Sequence, residues 1–220
     1  MRAPIRALVA GAALLGPMLL AAAANAPSPA PGPFDYYVLS LSWAPVFCEL
    51  GGAEKHLEQC AAGSGAGFVV HGLWPTNRIN PDPEDCGLDD HAYPTDLYAA
   101  RDLYPSEGLA RYEYLKHGTC AGLSASDYFA TVRSARDKIA IPHTLKAPRE
   151  WLRVTPRDVE DAFMAANPDL RPDNMAVICM HGQLIEVRIC MSKDLKAFAA
   201  CPKVAGHSCR RDVIGVAPVR

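Results

Sequence analysis

The 220-residue chain has no Cys-x-x-Cys pair, no surplus of positive charge and no visible internal repeat. Without closely spaced cysteine pairs, its eight cysteines lack the ligand spacing of a zinc site. Its longest apolar stretch, Ala7 to Ala23, is broken by Gly11, Gly16 and Pro17. It is short for a bilayer span, which takes about 20 apolar residues. A formal net charge of −2 excludes a protein that coats nucleic acid through bulk positive charge, while a local cationic cleft on a nucleic-acid enzyme stays open.

What is present at the N-terminus points to export. Arg2 and Arg6 precede the apolar run, and Ala24-Asn25-Ala26 is a small-x-small cleavage signal, so residues 1–26 read as a signal peptide that is removed. Taking 26 from 220 leaves 194 residues, enough for one domain with a sizeable core. The exported chain meets an oxidising compartment, and its even number of cysteines reads as a disulfide framework. Eight cysteines allow on the order of a hundred pairings, and spacing alone does not choose among them. Cys48 and Cys60 are close enough to close a small ring.

A Pro/Ala-rich leader, residues 27–33, opens the mature chain. Phe34 to Trp43 is rich in aromatic and β-favouring residues and reads as a strand stopped by Pro45. Residues 53–60 read as a short helix or loop. Gly65 to Pro75 reads as a buried strand that delivers His71 to its end, just before Gly72 and Pro75. Taken alone, His71 is equally a satisfied core histidine, and Trp74 a core aromatic or a surface on which a base could stack. Residues 76–90 form a loop carrying Cys86. Helices are predicted over 94–103, from a Ser106 cap through His117, from a Ser126–Asp127 start to Ile139, and from Thr155-Pro156-Arg157-Asp158 to Ala166. Met175 to Met180 and Leu184 to Cys190 read as a hairpin with His181 in the turn. His56, His91, His143 and His207 lie in polar or loop contexts.

The helix after Ser106 carries the chemistry. Glu113, Lys116 and His117 stand at i, i+3 and i+4, so a carboxylate, an ammonium and an imidazole project from one turn. Gly118 is placed to end that helix in a left-handed conformation. A proton carrier between opposite charges suits acid–base catalysis, although a solvated Glu–Lys face has the same spacing.

The blocks His71-Gly72-Leu73-Trp74-Pro75 and Glu113-Tyr114-Leu115-Lys116-His117-Gly118-Thr119-Cys120 together resemble the two active-site segments of the ribonuclease T2 family, in order and spacing. Phe34 to Cys48, Leu184 to Cys190 and the cysteines 179, 190, 201 and 209 extend the resemblance over about residues 34 to 210. It implies an α+β fold, with a central antiparallel β-sheet, surrounding helices and disulfide stabilisation. It implies a single ribonuclease domain over 34–220, periplasmic or secreted, a monomer needing no cofactor or metal and no membrane. The implied activity is endonucleolytic cleavage of single-stranded RNA, not DNA, with low base specificity. Cleavage would pass through a 2′,3′-cyclic phosphate to a 3′-phosphate.

Within that resemblance His117 is the general base and His71 the general acid. Glu113 and Lys116 stabilise the phosphorane, and Trp74 and Tyr112 contact substrate. Two imidazoles that titrate near neutrality suit the two proton transfers, and a nearby cation suits the developing charge. The resemblance also implies Cys86–Cys120, Cys179–Cys209 and Cys190–Cys201, which leaves Cys48–Cys60. Tyr112 stands where many members carry a histidine; a phenol donates a hydrogen bond but adds no positive charge. Thr76 and Asn77 replace an aspartate that reads a base in some relatives, so base preference does not transfer. Two rivals are a metal site on Glu113, His117 and His71, against which Lys116 argues by repulsion, and a catalytically weak RNA-binding or host-interaction protein on the same scaffold.

Overall fold

The computed structural model describes residues 33–55, 57–87 and 91–220. The expected signal peptide, its cleavage site and His56 lie outside the described residues. The fold is α+β, a sheet with helices packed against it and four disulfides.

Strand β1 (Tyr36–Trp43) is buried along nearly its whole length, which is why its sequence is apolar on both faces rather than alternating. Tyr37, Leu39, Leu41 and Trp43 enter the main core, while Tyr36 and Val38 join Cys190 and Cys201 on the opposite face. Full burial of each such side chain is worth about 1.5–3 kcal/mol. The Trp43 indole N–H still finds a partner, the Ala217 carbonyl at 3.1 Å. The strand ends at Trp43, just before Pro45, as expected, and the chain turns at once into a helix. Pro45 sits in the first turn of helix α1 (Ala44–Glu49), where its missing N–H has no helical partner to lose.

Strand β2 (Phe68–Thr76) pairs antiparallel with β1 and runs through Pro75. It lies at one end of the strand order, where a proline removes no internal ladder bond. Helix α2 (Pro94–Ala99) stops four residues short of the expected Leu103. Helix α3 (Glu107–Lys116) starts as its sequence suggests, with the Ser106 hydroxyl accepting the Leu109 N–H at 3.1 Å. Helix α4 (Ala125–Asp137) is capped by Ser124, not Ser126: the Ser124 side chain accepts the Asp127 N–H. Its Tyr128 hydroxyl donates to the Leu73 carbonyl at 2.8 Å and ties the helix to β2.

Short helix α5 (His143–Lys146) and strand β3 (Leu152–Val154) follow. Helix α6 (Pro156–Ala166) has a reciprocal capping box between Thr155 and Asp158. Strands β4 (Met175–Met180) and β5 (Gln183–Met191) form the expected hairpin. His181 and Gly182 make its two-residue turn with positive φ at both, the twist that suits a hairpin. Helix α7 (Pro202–Ala205) and strand β6 (Ile214–Val216) complete the chain. The strand order is β2-β1-β5-β6-β3, with β4 also on β5. Among the described residues all strand pairings are antiparallel except the single parallel bridge Gln183–Gly215 between β5 and β6.

The bridges are Cys48–Cys60, Cys86–Cys120, Cys179–Cys209 and Cys190–Cys201. The last three are the pairs that the resemblance implies, and Cys48–Cys60 is the pair they leave over.

Candidate active site

Pairing between β1 and β2 runs Ser40 with Gly72, then Leu41 with Val70. His71 is therefore the extra residue of a β-bulge. Bulges re-aim a side chain out of the regular alternation. His71 was expected at a strand end; the strand instead continues to Thr76, and the bulge is what presents the ring.

Helix α3 brings Glu113 to the same place. This side chain is buried, and its Oε2 accepts the Trp74 indole N–H at 2.8 Å. Its Oε1 lies 3.8 Å from His71 Nε2. Gly72 permits the approach, since a Cβ there would overlap both the Glu113 carboxylate and the Trp74 indole nitrogen.

His117 is the residue that closes α3, and its N–H donates to the Glu113 carbonyl at 2.9 Å. Its ring centroid lies 5.6 Å from that of Trp74. His71 meets the same indole edge-on at 5.3 Å. One indole thus holds both imidazoles. Gly118 does not end the helix through a left-handed conformation: it opens a short 3-10 turn (Gly118–Ala121) directly after α3, and Gly122 closes that turn at φ 68°. A Cβ on Gly118 would come within 2.6 Å of Tyr114 and 2.9 Å of Tyr128, so close packing is what requires a glycine there.

Lys116 and Tyr112 are placed differently. The Lys116 ammonium lies 3.5 Å from a Glu84 oxygen and 5.6 Å from the Tyr112 ring centroid. Tyr112 is exposed. The Lys116 charge nevertheless acts on both Glu113 and His117. The loop after β2 is docked beside it by Cys86–Cys120 and by the Asp85 N–H, which donates to the Lys116 carbonyl at 2.8 Å.

Two residues that sequence reasoning passed over complete the group. Glu186 Oε1 lies 2.8 Å from His71 Nδ1, and Glu186 Oε2 accepts from Arg188 Nε at 2.7 Å. The Arg188 guanidinium sits 5.1 Å from the Trp74 ring centroid. A signal was available: Glu186, Arg188 and Cys190 alternate on one face of β5, and two opposite charges beside a buried cysteine point to an ion pair.

The surroundings push the two histidines apart. Burial disfavours the His71 cation, but the Glu186 hydrogen bond and the charges of Glu186 and Glu113 outweigh it and raise its pKa above the ordinary 6.5. Burial, with Lys116 and His71 as like charges, lowers His117 to about 4 despite Glu84 and Asp85. Burial raises Glu113 above the usual carboxylate value, opposed by Trp74, His71 and Lys116. Glu186, also buried, is instead held below that value because His71 and Arg188 prevail. Divergent environments of this kind assign an acid and a base to otherwise identical groups.

Among the described residues no set of three or more His, Cys, Asp or Glu side chains is arranged to hold a metal ion. His143 starts α5, His181 stays in its turn, and His207 lies 2.6 Å from the Lys203 carbonyl; none of the three belongs to the site.

Fold and site together define a disulfide-bonded α+β protein built around a histidine pair. The chain belongs to the Ribonuclease T2 family, whose model matches residues 34–201. A probable ribonuclease of Haemophilus influenzae is 32% identical over 180 residues, covering 74% of this chain and 64% of that protein. A ribonuclease of Aeromonas hydrophila is 39% identical over 114 residues, covering 52% of this chain and 50% of its own length. The chain thus spans less than two thirds of these two bacterial relatives. Among solved structures, the self-incompatibility-associated SF11-RNase of Nicotiana alata shares the fold at TM-score 0.64 and 23% identity, over 85% of this chain and 100% of that one.

Proposed function

We propose that residues 34–220 form a single metal-independent endoribonuclease domain that cleaves single-stranded RNA with little base preference. The observation that carries this is the pair His71 and His117 on one indole, with environments that keep the first protonated and the second neutral near pH 6.

In this reading neutral His117 takes the proton of the ribose 2′-hydroxyl. The freed oxygen attacks phosphorus, and a pentacovalent phosphorane forms. The bond to the 5′-oxygen breaks as His71 gives that oxygen its proton. A 2′,3′-cyclic phosphate results, with His117 now charged and His71 neutral. The reverse transfers then let water open the ring to a 3′-phosphate, which restores both histidines. Lys116 supplies positive charge beside the phosphorane once phosphate displaces Glu84 as its partner. Glu113, fixed by Trp74, stands beside His71 Nε2 and keeps a polar group at the phosphate. Trp74 positions the rings and borders the base, and Tyr112 offers a phenol to a flanking phosphate.

DNA lacks the attacking hydroxyl and is not a substrate in this reading. Four disulfides favour an exported, periplasmic or secreted protein, which in this reading acts as a monomer. Among the described residues no helix is long and apolar enough to cross a membrane. The test is incubation with RNA and with DNA in EDTA, followed by analysis of the ends. Cyclic-phosphate ends from RNA alone are expected; activity that EDTA abolishes and a divalent metal restores overturns the proposal.

A further inference from the structure

We infer that Glu186 is the positioning residue for His71, holding the ring in the tautomer and orientation that turn Nε2 toward the leaving oxygen. This rests on the general-acid role proposed for His71.

The topology makes the contact unusual. Glu186 is on β5 and His71 on β2, with β1 between them. Adjacent strands lie about 4.8 Å apart, so the two side chains meet across a whole intervening strand. They do so where β1 is narrow. Glu186 is opposite Ser42 and Arg188 opposite Ser40, while Ser40 is also opposite Gly72, next to the His71 bulge. Ser40 and Ser42 are the small residues of a strand otherwise built from Tyr, Val, Leu and Trp. A larger residue at either place would fill the space through which His71 and Glu186 touch.

Geometry fixes which nitrogen carries which role. Nδ1 faces Glu186 at 2.8 Å, and a carboxylate can only accept, so Nδ1 is the protonated nitrogen in both charge states. Nε2 is left to gain and lose the mobile proton. It faces Glu113 at 3.8 Å, beyond hydrogen-bonding distance, on the side where His117 also meets Trp74. Arg188 holds the second Glu186 oxygen at 2.7 Å, so the carboxylate cannot swing away. The charges that face His71 are therefore Glu186 and Arg188 from β5, Glu113 from α3 and His117 beyond it. Of these, Glu186 makes the one short contact to the ring.

The test separates positioning from folding and from the ribonuclease reading itself. Ring-proton NMR of the wild-type protein should give His71 a titration midpoint above 6.5, and Glu186→Gln should lower it. Kinetics should compare a dinucleoside phosphate, whose alkoxide leaving group needs a proton, with a uridine 3′-(nitrophenyl phosphate), whose leaving group does not. Glu186→Gln should lose roughly 10- to 100-fold in kcat at pH 7 on the first, part of the 10²- to 10⁴-fold that acid–base assistance supplies. On the aryl ester it should stay within about threefold of wild type by the same reasoning. Equal losses on both substrates, or none on the dinucleotide, overturn the inference. If wild-type protein cleaves neither substrate, the ribonuclease reading falls. The His71 midpoint then decides by difference: a fall in Glu186→Gln, or in Glu186→Asp if the Gln variant does not fold, supports the contact, and an unchanged midpoint overturns it.

Discussion

The indole N–H of Trp74 donates to Glu113 Oε2 at 2.8 Å, and this bond joins the two sequence blocks that carry the site, one on β2 and one on α3. Glu113 is 1% exposed, so water cannot replace the donor. Trp74→Phe keeps most of the ring and removes the N–H. The variant should be less stable by about 1.5–3 kcal/mol at pH 7, the range for a hydrogen bond to a charged group. Burial already raises the Glu113 pKa, and the Trp74 bond opposes that rise, so its loss should raise the pKa further. The stability deficit should therefore shrink as pH falls and Glu113 takes up a proton. Urea unfolding at pH 5 and pH 7 measures this. Equal stability of the variant and wild type at both values would show that the bond carries no weight.

The acid–base assignment also fixes the shape of the pH profile. His117 must be neutral to accept a proton, so kcat/KM should rise as pH passes upward through about 4. His71 must be protonated to donate, so the rate should fall as pH passes its own, raised value above 6.5. The expected profile is a plateau over the mildly acidic range, flanked by two limbs. His71→Ala should remove the alkaline limb along with about 10²- to 10⁴-fold in rate. An alkaline limb that persists in His71→Ala assigns that limb to another group.

Local chemistry made much of this legible in advance. The Ser106 cap, the Thr155–Asp158 capping box and the His181–Gly182 turn were readable because each is satisfied within four residues of chain. Strands β1, β4 and β5 were legible for a similar reason, as apolar runs of their own sequence. What escaped was set by distant partners. Strands β3 and β6 have three residues each and exist through pairing with one another. The bulge at His71 is a property of the register between β1 and β2, which neither strand encodes alone. Glu186 reaches His71 over a separation of 115 residues; the two charges of β5 and the serines of β1 hint at a contact, but neither names the partner.

Gly118 illustrates the same division between local and tertiary causes. Its glycine reads locally as a helix terminator, yet its environment is one of steric closeness to Tyr114 and Tyr128. Gly118→Ala should cost about 1–3 kcal/mol through overpacking. Because the residue follows His117, activity should fall as well. Gly122→Ala strains a left-handed residue instead and should cost about 1 kcal/mol, with activity nearly unchanged. Unfolding midpoints and RNA cleavage by both variants settle the contrast. A Gly118→Ala protein as stable and as active as wild type would show that the tyrosines give way.

The Cys86–Cys120 bridge couples stability to the Lys116 side of the site. It joins residues 34 apart and pins the loop after β2 against the end of α3, three residues beyond His117. Closing a ring of that size constrains the unfolded chain by about 3 to 4 kcal/mol in the loop-entropy model. Replacing both cysteines by serine should lower stability by that amount. The functional effect should be separable from it. The same loop carries Glu84, paired with Lys116, and Asp85, bonded to the Lys116 backbone. Loosening it should weaken the placement of Lys116 more than that of His71, whose partners lie on β5 and α3. Both kcat and kcat/KM for RNA should therefore fall, because Lys116 acts on the phosphorane, while the alkaline limb of the pH profile stays where it is. Urea unfolding and a pH–rate profile at a temperature where the variant is folded test the two parts together. A shifted alkaline limb would mean that the bridge also supports His71.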